Sequence, residues 1–126
     1  MVVLQLFLLL GISSISFANF ENTYECQTLQ GAAPRITITI KEEFSDQDKL
    51  IEARATVNNE DSGEKAVFLV EKLTKRHPQN PDFLVVQWTS RGFTFEGYIS
   101  NVNASRSFMG YSTSESEPRR AFSCYF

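Results

Sequence analysis

The stretch Arg35-Ile36-Thr37-Ile38-Thr39-Ile40-Lys41 alternates polar and apolar residues without a break. In an extended chain, successive side chains point to opposite faces, so the isoleucines share one face and the Arg, Thr and Lys side chains share the other. Ile and Thr are also β-branched, and such side chains fit the pleated surface of a sheet well. The stretch therefore predicts a β-strand with one buried face and one face in water.

Similar short runs recur on both sides of this strand and are separated by clusters of turn residues, a rhythm typical of an all-β domain. Consecutive strands joined by short connections usually pair, so we predict an antiparallel meander of about eight strands. Such a meander can close into a barrel, which leaves no open edge. A two-sheet β-sandwich is the alternative. The runs comprise residues 22–29, 35–41, 50–57, 64–74, 83–89, 93–100, 106–112 and 119–126.

Residues 64–74 fit two interpretations. Val67 and Phe68 interrupt the apolar stripe that a helix would need, and the runs on both sides are strand-like. We therefore predict a strand here, with a helix as the alternative. The residues that fit helical spacing are Ala66, Leu69, Val70 and Leu73, and Asp61 with Glu64 would be the helix cap.

The two cysteines, Cys26 and Cys124, lie in the first and the last of these runs. In an oxidising compartment, such a pair indicates one disulfide bond. If the barrel closes, the first and last strands are antiparallel neighbours, and the bridge joins them at the seam. Because it would close a loop nearly as long as the domain, it would constrain the unfolded chain by about 4–5 kcal/mol. Two free thiols are the alternative.

The first 18 residues have the pattern of a secretory leader. Residues 2–10 form an apolar run without charge, and Ser16-Phe17-Ala18 places small residues where a signal peptidase cleaves. The apolar run is short for crossing a bilayer, which disfavours a transmembrane anchor. We predict a signal peptide over residues 1–18 and a single β domain, secreted or periplasmic, over residues 19–126.

Composition and motifs argue against several classes of function. With 12 Lys and Arg against 15 Asp and Glu, the net charge is −3, which gives no electrostatic attraction to nucleic acid or anionic membranes. The single histidine, His77, lies in a predicted loop, and Gly-x-Ser-x-Gly and Cys-x-x-Cys are absent. Glu42, Glu43, Asp46 and Asp48 lack the pattern of a calcium loop and predict a solvated acidic turn. We therefore expect a non-catalytic domain without cofactor or metal; a hydrolase is the least favoured class.

A binding module is the function that these features favour. A hollow barrel would hold a small apolar ligand against inward aromatic side chains; with 11 Phe, a solid interior is the alternative. The second hypothesis is a protein-interaction or inhibitor module that uses the outer face around Trp88 and the loop 76–81, because the runs 64–74 and 83–89 are apolar on both faces. The candidate ligand or partner residues are Phe68, Trp88, Phe93, Phe95 and Tyr98, and those assigned to the outer face are Val67, Leu69, Leu84, Val86 and Trp88.

Overall fold

The computed structural model describes residues 20–100 and 106–126. Within these ranges the chain forms eight β-strands, each antiparallel to the next, and the first strand pairs with the last to close a barrel. The predicted all-β meander is confirmed, with a closed barrel rather than a two-sheet sandwich. The predicted signal peptide, Met1–Ala18, lies outside the described residues. None of the described residues belongs to a helix long and apolar enough to cross a membrane.

Short connections join the strands in sequence order. The tightest is Arg91-Gly92, which lies between the strand partners Ser90 and Phe93. Gly92 has a φ of 81°, a left-handed conformation that residues with a side chain rarely adopt. The strands are β1 (Phe20–Thr28), β2 (Ile36–Phe44), β3 (Leu50–Asn59), β4 (Lys65–Arg76), β5 (Phe83–Ser90), β6 (Phe93–Ser100), β7 (Ser107–Ser114) and β8 (Arg120–Tyr125).

The seam between β1 and β8 carries the disulfide bond. Cys26 and Cys124 are register partners in the β1–β8 ladder, and their sulfur atoms are bonded. The predicted bridge is confirmed, and it links residues 98 positions apart. A disulfide of this kind is compatible with an extracellular or periplasmic location.

The ambiguous run 64–74 is a strand, β4, and it changes partner halfway. Lys65–Val70 pairs with β3, whereas Glu71–Arg76 pairs with β5. Among the described residues, each half of β4 therefore has a paired strand on one side only. The outward side chains of Val67, Leu69 and Leu73 remain exposed.

The alternation that predicted β2 is confirmed, and it continues one step further than expected. Ile36, Ile38 and Ile40 are buried in the barrel, and the next inward position, Glu42, is also fully buried. The prediction that Glu42 belongs to a solvated acidic turn is wrong, because β2 extends to Phe44 and carries Glu42 into the barrel interior.

The prediction that Val86 and Trp88 lie on the outer face of β5 is also wrong. Trp88 and Val86 lie inside the barrel, and Trp88 has no solvent-exposed surface. Because both faces of β5 are apolar, there is no period-2 alternation to indicate which face turns inward. The observed register buries the indole ring of Trp88, and a large aromatic side chain makes a large contribution to the core. Val67 and Leu69 do lie on the outer face, with 53% and 64% of their surface exposed.

Candidate functional site

The barrel interior divides into two halves that differ in packing. One half, which we call the filled half, contains the rings of Tyr24, Trp88, Phe95 and Phe108. Trp88 lies with its ring centre 5.2 Å from that of Tyr24 and 6.0 Å from that of Phe95. These separations are typical of aromatic side chains in contact, so the rings of this half pack against one another.

Two paired glycines make room for the aromatic rings of the filled half. Gly97 and Gly110 are register partners on the inner faces of β6 and β7. A Cβ atom on Gly110 would lie 2.4 Å from the Phe95 ring, and one on Gly97 would lie 2.7 Å from the Phe108 ring. Both distances are far below van der Waals contact, so the rings occupy the space that side chains at these positions would need.

The carboxylate of Glu42 is buried in the filled half, and its Oε2 atom is contacted by the side chains of Trp88 and Lys72. The indole Nε1 of Trp88 donates a hydrogen bond of 2.7 Å to Oε2 of Glu42, and Nζ of Lys72 lies 2.9 Å from the same oxygen. Oε1 has no partner at hydrogen-bonding distance in the described part of the chain. Burial is the main cause that raises the pKa of Tyr24 far above its ordinary value, and the charge and hydrogen bonding of the Glu42 carboxylate raise it further.

The other half of the interior, which we call the open half, contains a cavity of about 290 Å³. It lies at the end of the barrel where the turn at Gly92 and the connection from β7 to β8 are found. The rings of Phe68 and Phe93 stack there with centres 4.8 Å apart and planes only 6° from parallel. This stack connects β4 to β6 beside the stretch of β4 that β5 does not reach. The other apolar residues around the cavity are Ile36, Ile38, Val57, Ala66 and Phe122.

The rim of the cavity is polar and carries one ion pair. Arg120 is the register partner of Ser112, and only 21% of its side chain is exposed. Its Nη2 atom lies 2.7 Å from Oε1 of Glu117, whose side chain is about half exposed in the connection between β7 and β8. The serines Ser112, Ser114 and Ser116 also line this end of the cavity. The site is therefore an apolar space with a charged and hydroxylated entrance.

The five residues predicted to contact a ligand or partner are distributed over three places. Phe68 and Phe93 lie together in the cavity wall. Phe95 lies deeper and packs edge-on against Phe122, with ring centres 5.6 Å apart, and Trp88 belongs to the filled half. Tyr98 faces outward into a separate surface groove of about 650 Å³. The structure therefore brings together only Phe68 and Phe93 at the cavity.

That outer groove is organised by aromatic and cationic contacts. The Tyr98 ring lies 5.8 Å from the imidazole of His77 and 5.6 Å from the ring of Tyr111. The guanidinium of Arg119 lies 4.1 Å from the Tyr111 ring centre, within cation–π range. Nδ1 of His77 accepts hydrogen bonds from the backbone N–H groups of Gln79 and Asn80. The histidine therefore stabilises its own loop.

Arg120 and Glu117 were not among the predicted site residues. The inward position of Arg120 could have been predicted. Arg120, Phe122 and Cys124 are spaced two residues apart, so in a strand the arginine lies on the same face as the disulfide-bonded cysteine. Glu117 has no comparable signal, since it lies in a polar connection whose path cannot be read from residue spacing.

Across residues 20–100 and 106–126 there is no group of three or more His, Cys, Asp or Glu side chains that could hold a metal ion. No protein-family model matches the chain, and no curated protein or solved structure is significantly similar to it.

Proposed function

We propose that this protein is an exported, non-catalytic binding module that holds a small apolar ligand in the open half of its barrel. The observation that carries the proposal is the cavity of about 290 Å³, whose wall contains the stacked Phe68 and Phe93 rings and the ring of Phe122. Binding sites for small molecules are usually concave and apolar, with a few polar groups at defined positions. The leader-like residues 1–18 and the disulfide bond support export to an oxidising compartment.

The volume of the cavity limits the size of the ligand. One water molecule occupies about 30 Å³ in the liquid, and a methylene group is of similar size, so the ligand has about ten non-hydrogen atoms. A ligand of this size fits beside the Phe68–Phe93 stack without displacing the side chains of the filled half. Larger apolar molecules, such as long-chain lipids, would extend into solvent.

The proposal is tested by titrating the oxidised protein with 1-octanol while the melting temperature is recorded. Because a ligand that binds only the folded state stabilises it by mass action, we expect the melting temperature to rise with octanol concentration. Val57 lines the cavity, and Val57→Phe should fill the space and remove the rise.

The matched control is Val67→Phe, because Val67 is exposed on the outer face of the neighbouring strand. This variant should retain the octanol effect. The proposal is contradicted if the wild-type protein shows no saturable stabilisation, or if Val57→Phe and Val67→Phe respond to octanol equally.

A protein-interaction module is the second candidate, and the outer face of β4 favours it. Val67, Leu69 and Leu73 are exposed there, and Lys65–Val70 has no paired strand on its β5 side among the described residues. The partner in this candidate is a second copy of the chain. Antiparallel pairing of two such strands about Phe68 would place Val67 of each copy opposite Leu69 of the other.

Sedimentation velocity tests the second candidate. A dimer that dissociates in the Leu69→Lys variant, but persists in the control variant Leu29→Lys, would support it, because Leu29 is exposed elsewhere on the surface. A wild-type protein that remains monomeric at high concentration would rule this candidate out.

A further inference from the structure

Resting on the proposed function, we infer that the ligand is a medium-chain monocarboxylate whose carboxylate binds Arg120 in place of Glu117. The apolar part of the cavity does not define the polar end of its ligand. Arg120 lines the same cavity, and its side chain is mostly shielded from water.

A shielded guanidinium needs an anionic partner. Arginine stays protonated at all physiological pH values, and a poorly hydrated charge is costly unless it is paired. Glu117 fills this role in the absence of ligand, through the 2.7 Å contact between Oε1 and Nη2 of Arg120. Among the described residues that line the cavity, Glu117 is the only carboxylate.

The two members of this ion pair differ in how firmly they are held. Arg120 belongs to β8 and is fixed by its ladder with β7. Glu117 lies in the connection between β7 and β8, with 53% of its side chain exposed. Because its carboxylate can be hydrated where it stands, Glu117 can leave Arg120 at little cost when another carboxylate arrives. With Glu117 about half exposed, the pair is weaker than one in which both charges are fully buried.

The guanidinium selects a carboxylate over other polar groups. Its planar set of N–H donors matches the two oxygens of a carboxylate, which allows two parallel hydrogen bonds. The serine hydroxyls of Ser112, Ser114 and Ser116 lie at the same end of the cavity and can donate further hydrogen bonds to this head group. The alkyl part of the ligand then lies against Phe68 and Phe93, and Glu117 acts as an internal competitor that lowers its affinity.

The test compares octanoate with 1-octanol, two probes of nearly equal size that differ in the head group. Both are titrated at pH 7 into the wild-type protein and into Arg120→Gln, Glu117→Gln and Arg119→Gln. Arg119→Gln is the matched control, because the adjacent Arg119 stacks on Tyr111 on the outer face. We expect the wild type to bind octanoate about tenfold more tightly than octanol, the preference expected of a charge-assisted hydrogen-bonded pair.

Arg120→Gln should abolish this preference while octanol still binds, and Arg119→Gln should leave it unchanged. Glu117→Gln should raise the affinity for octanoate several-fold and leave that for octanol as it was. Equal binding of the two probes by the wild type would overturn the inference while the proposed function stands. Failure of both probes to bind would overturn both. If Arg120→Gln does not fold, Glu117→Gln decides the question, because an unchanged octanoate affinity in that variant excludes the competition.

Discussion

The half of the barrel around Trp88 and the half around Phe68 are lined by similar aromatic side chains, yet only one of them is filled. In the filled half, the paired glycines Gly97 and Gly110 leave room that the rings of Phe95 and Phe108 occupy completely. In the open half, Phe68 and Phe93 stack against one another in the wall of a cavity of about 290 Å³. The number of aromatic residues therefore does not decide whether a barrel is hollow.

The polar groups of the two halves also differ in how deeply they are buried. Glu42 is fully buried and is held by Trp88 and Lys72, so its removal would leave buried donors without an acceptor. The ion pair of Glu117 with Arg120 is half exposed on the Glu117 side and can exchange partners with water. The polar contacts of the filled half are thus centred on a fully buried carboxylate, whereas the carboxylate of the open half is about half exposed.

The largest effect is expected from loss of the disulfide bond. Both cysteines are buried, so the double variant Cys26→Ala/Cys124→Ala is a cleaner test than added reductant. We expect a loss of about 4–5 kcal/mol of folding free energy, or roughly 20 °C in melting temperature, because the bridge spans nearly the whole domain. By contrast, Glu117→Gln in the open half should change stability by less than about 1 kcal/mol. Calorimetry that gives equal melting temperatures for the double variant and the wild type would show that the bridge contributes nothing.

Removal of one phenylalanine from each half gives the second contrast. Phe95→Ala should cost about 3–5 kcal/mol, because it leaves a closed void in a solid core. Phe68→Ala should cost only about 1–2 kcal/mol, because this side chain is partly exposed and its loss enlarges a space that already exists. Urea unfolding of the two variants measures the difference. Equal costs would mean that the two halves are packed alike.

The two halves should differ in how well they tolerate one additional carbon atom. Gly110→Ala would place a Cβ atom 2.4 Å from the Phe95 ring, and we expect a loss of about 1–3 kcal/mol from overpacking. Val57→Leu adds one methylene group at the cavity wall, where there is room, and should change stability by less than about 1 kcal/mol. If Gly110→Ala proves as stable as Val57→Leu in the same urea experiment, the filled half is looser than the ring contacts indicate.

The smallest effect concerns the ionisation of Tyr24 in the filled half. Its pKa is raised in the folded protein, whereas the unfolded chain ionises near pH 10.0. The contribution of this tyrosine to stability is therefore fully present below pH 10 and declines above it, at about 1.4 kcal/mol per pH unit, until the folded state also ionises. Tyr24→Phe should lose less stability than the wild type between pH 10 and pH 11. The two proteins should respond equally between pH 7 and pH 9.

Period-2 alternation predicted the strands, and their meander order with cysteines in the first and last runs predicted closure of the barrel. Neither signal predicted where a cavity would lie. The isoleucines of β2 were assigned to the correct face because polar residues separate them. Trp88 was assigned to the wrong face because β5 is apolar on both sides. Glu42 was expected in water, because a carboxylate is rarely buried without a partner. Its partner Trp88 lies 46 positions away in the sequence, where residue spacing gives no signal.

The open half could not be derived from the sequence for a related reason. Its volume is what remains after Phe68, Phe93 and Phe122 have taken their rotamers, and it depends on the register of β4 with its neighbours. The inward positions of Ile36 and Ile38 were predicted from alternation, whereas that of Phe68 was predicted in a run that is apolar on both faces. The entrance formed by Arg120 and Glu117 depends on the path of the connection between β7 and β8, which the composition of that segment does not determine.

The most direct test of ligand binding in the open half is an NMR titration of isotope-labelled protein with octanoate, in which the methyl signals of isoleucine and valine are followed. Binding in the open half predicts saturable shifts for Ile36, Ile38 and Val57, with little change for Ile40 and Val70, which are buried in the core but do not line the cavity. Saturable shifts confined to residues of the outer groove around Tyr98, or no saturable shifts at all, would contradict the assignment of the binding site to the open half.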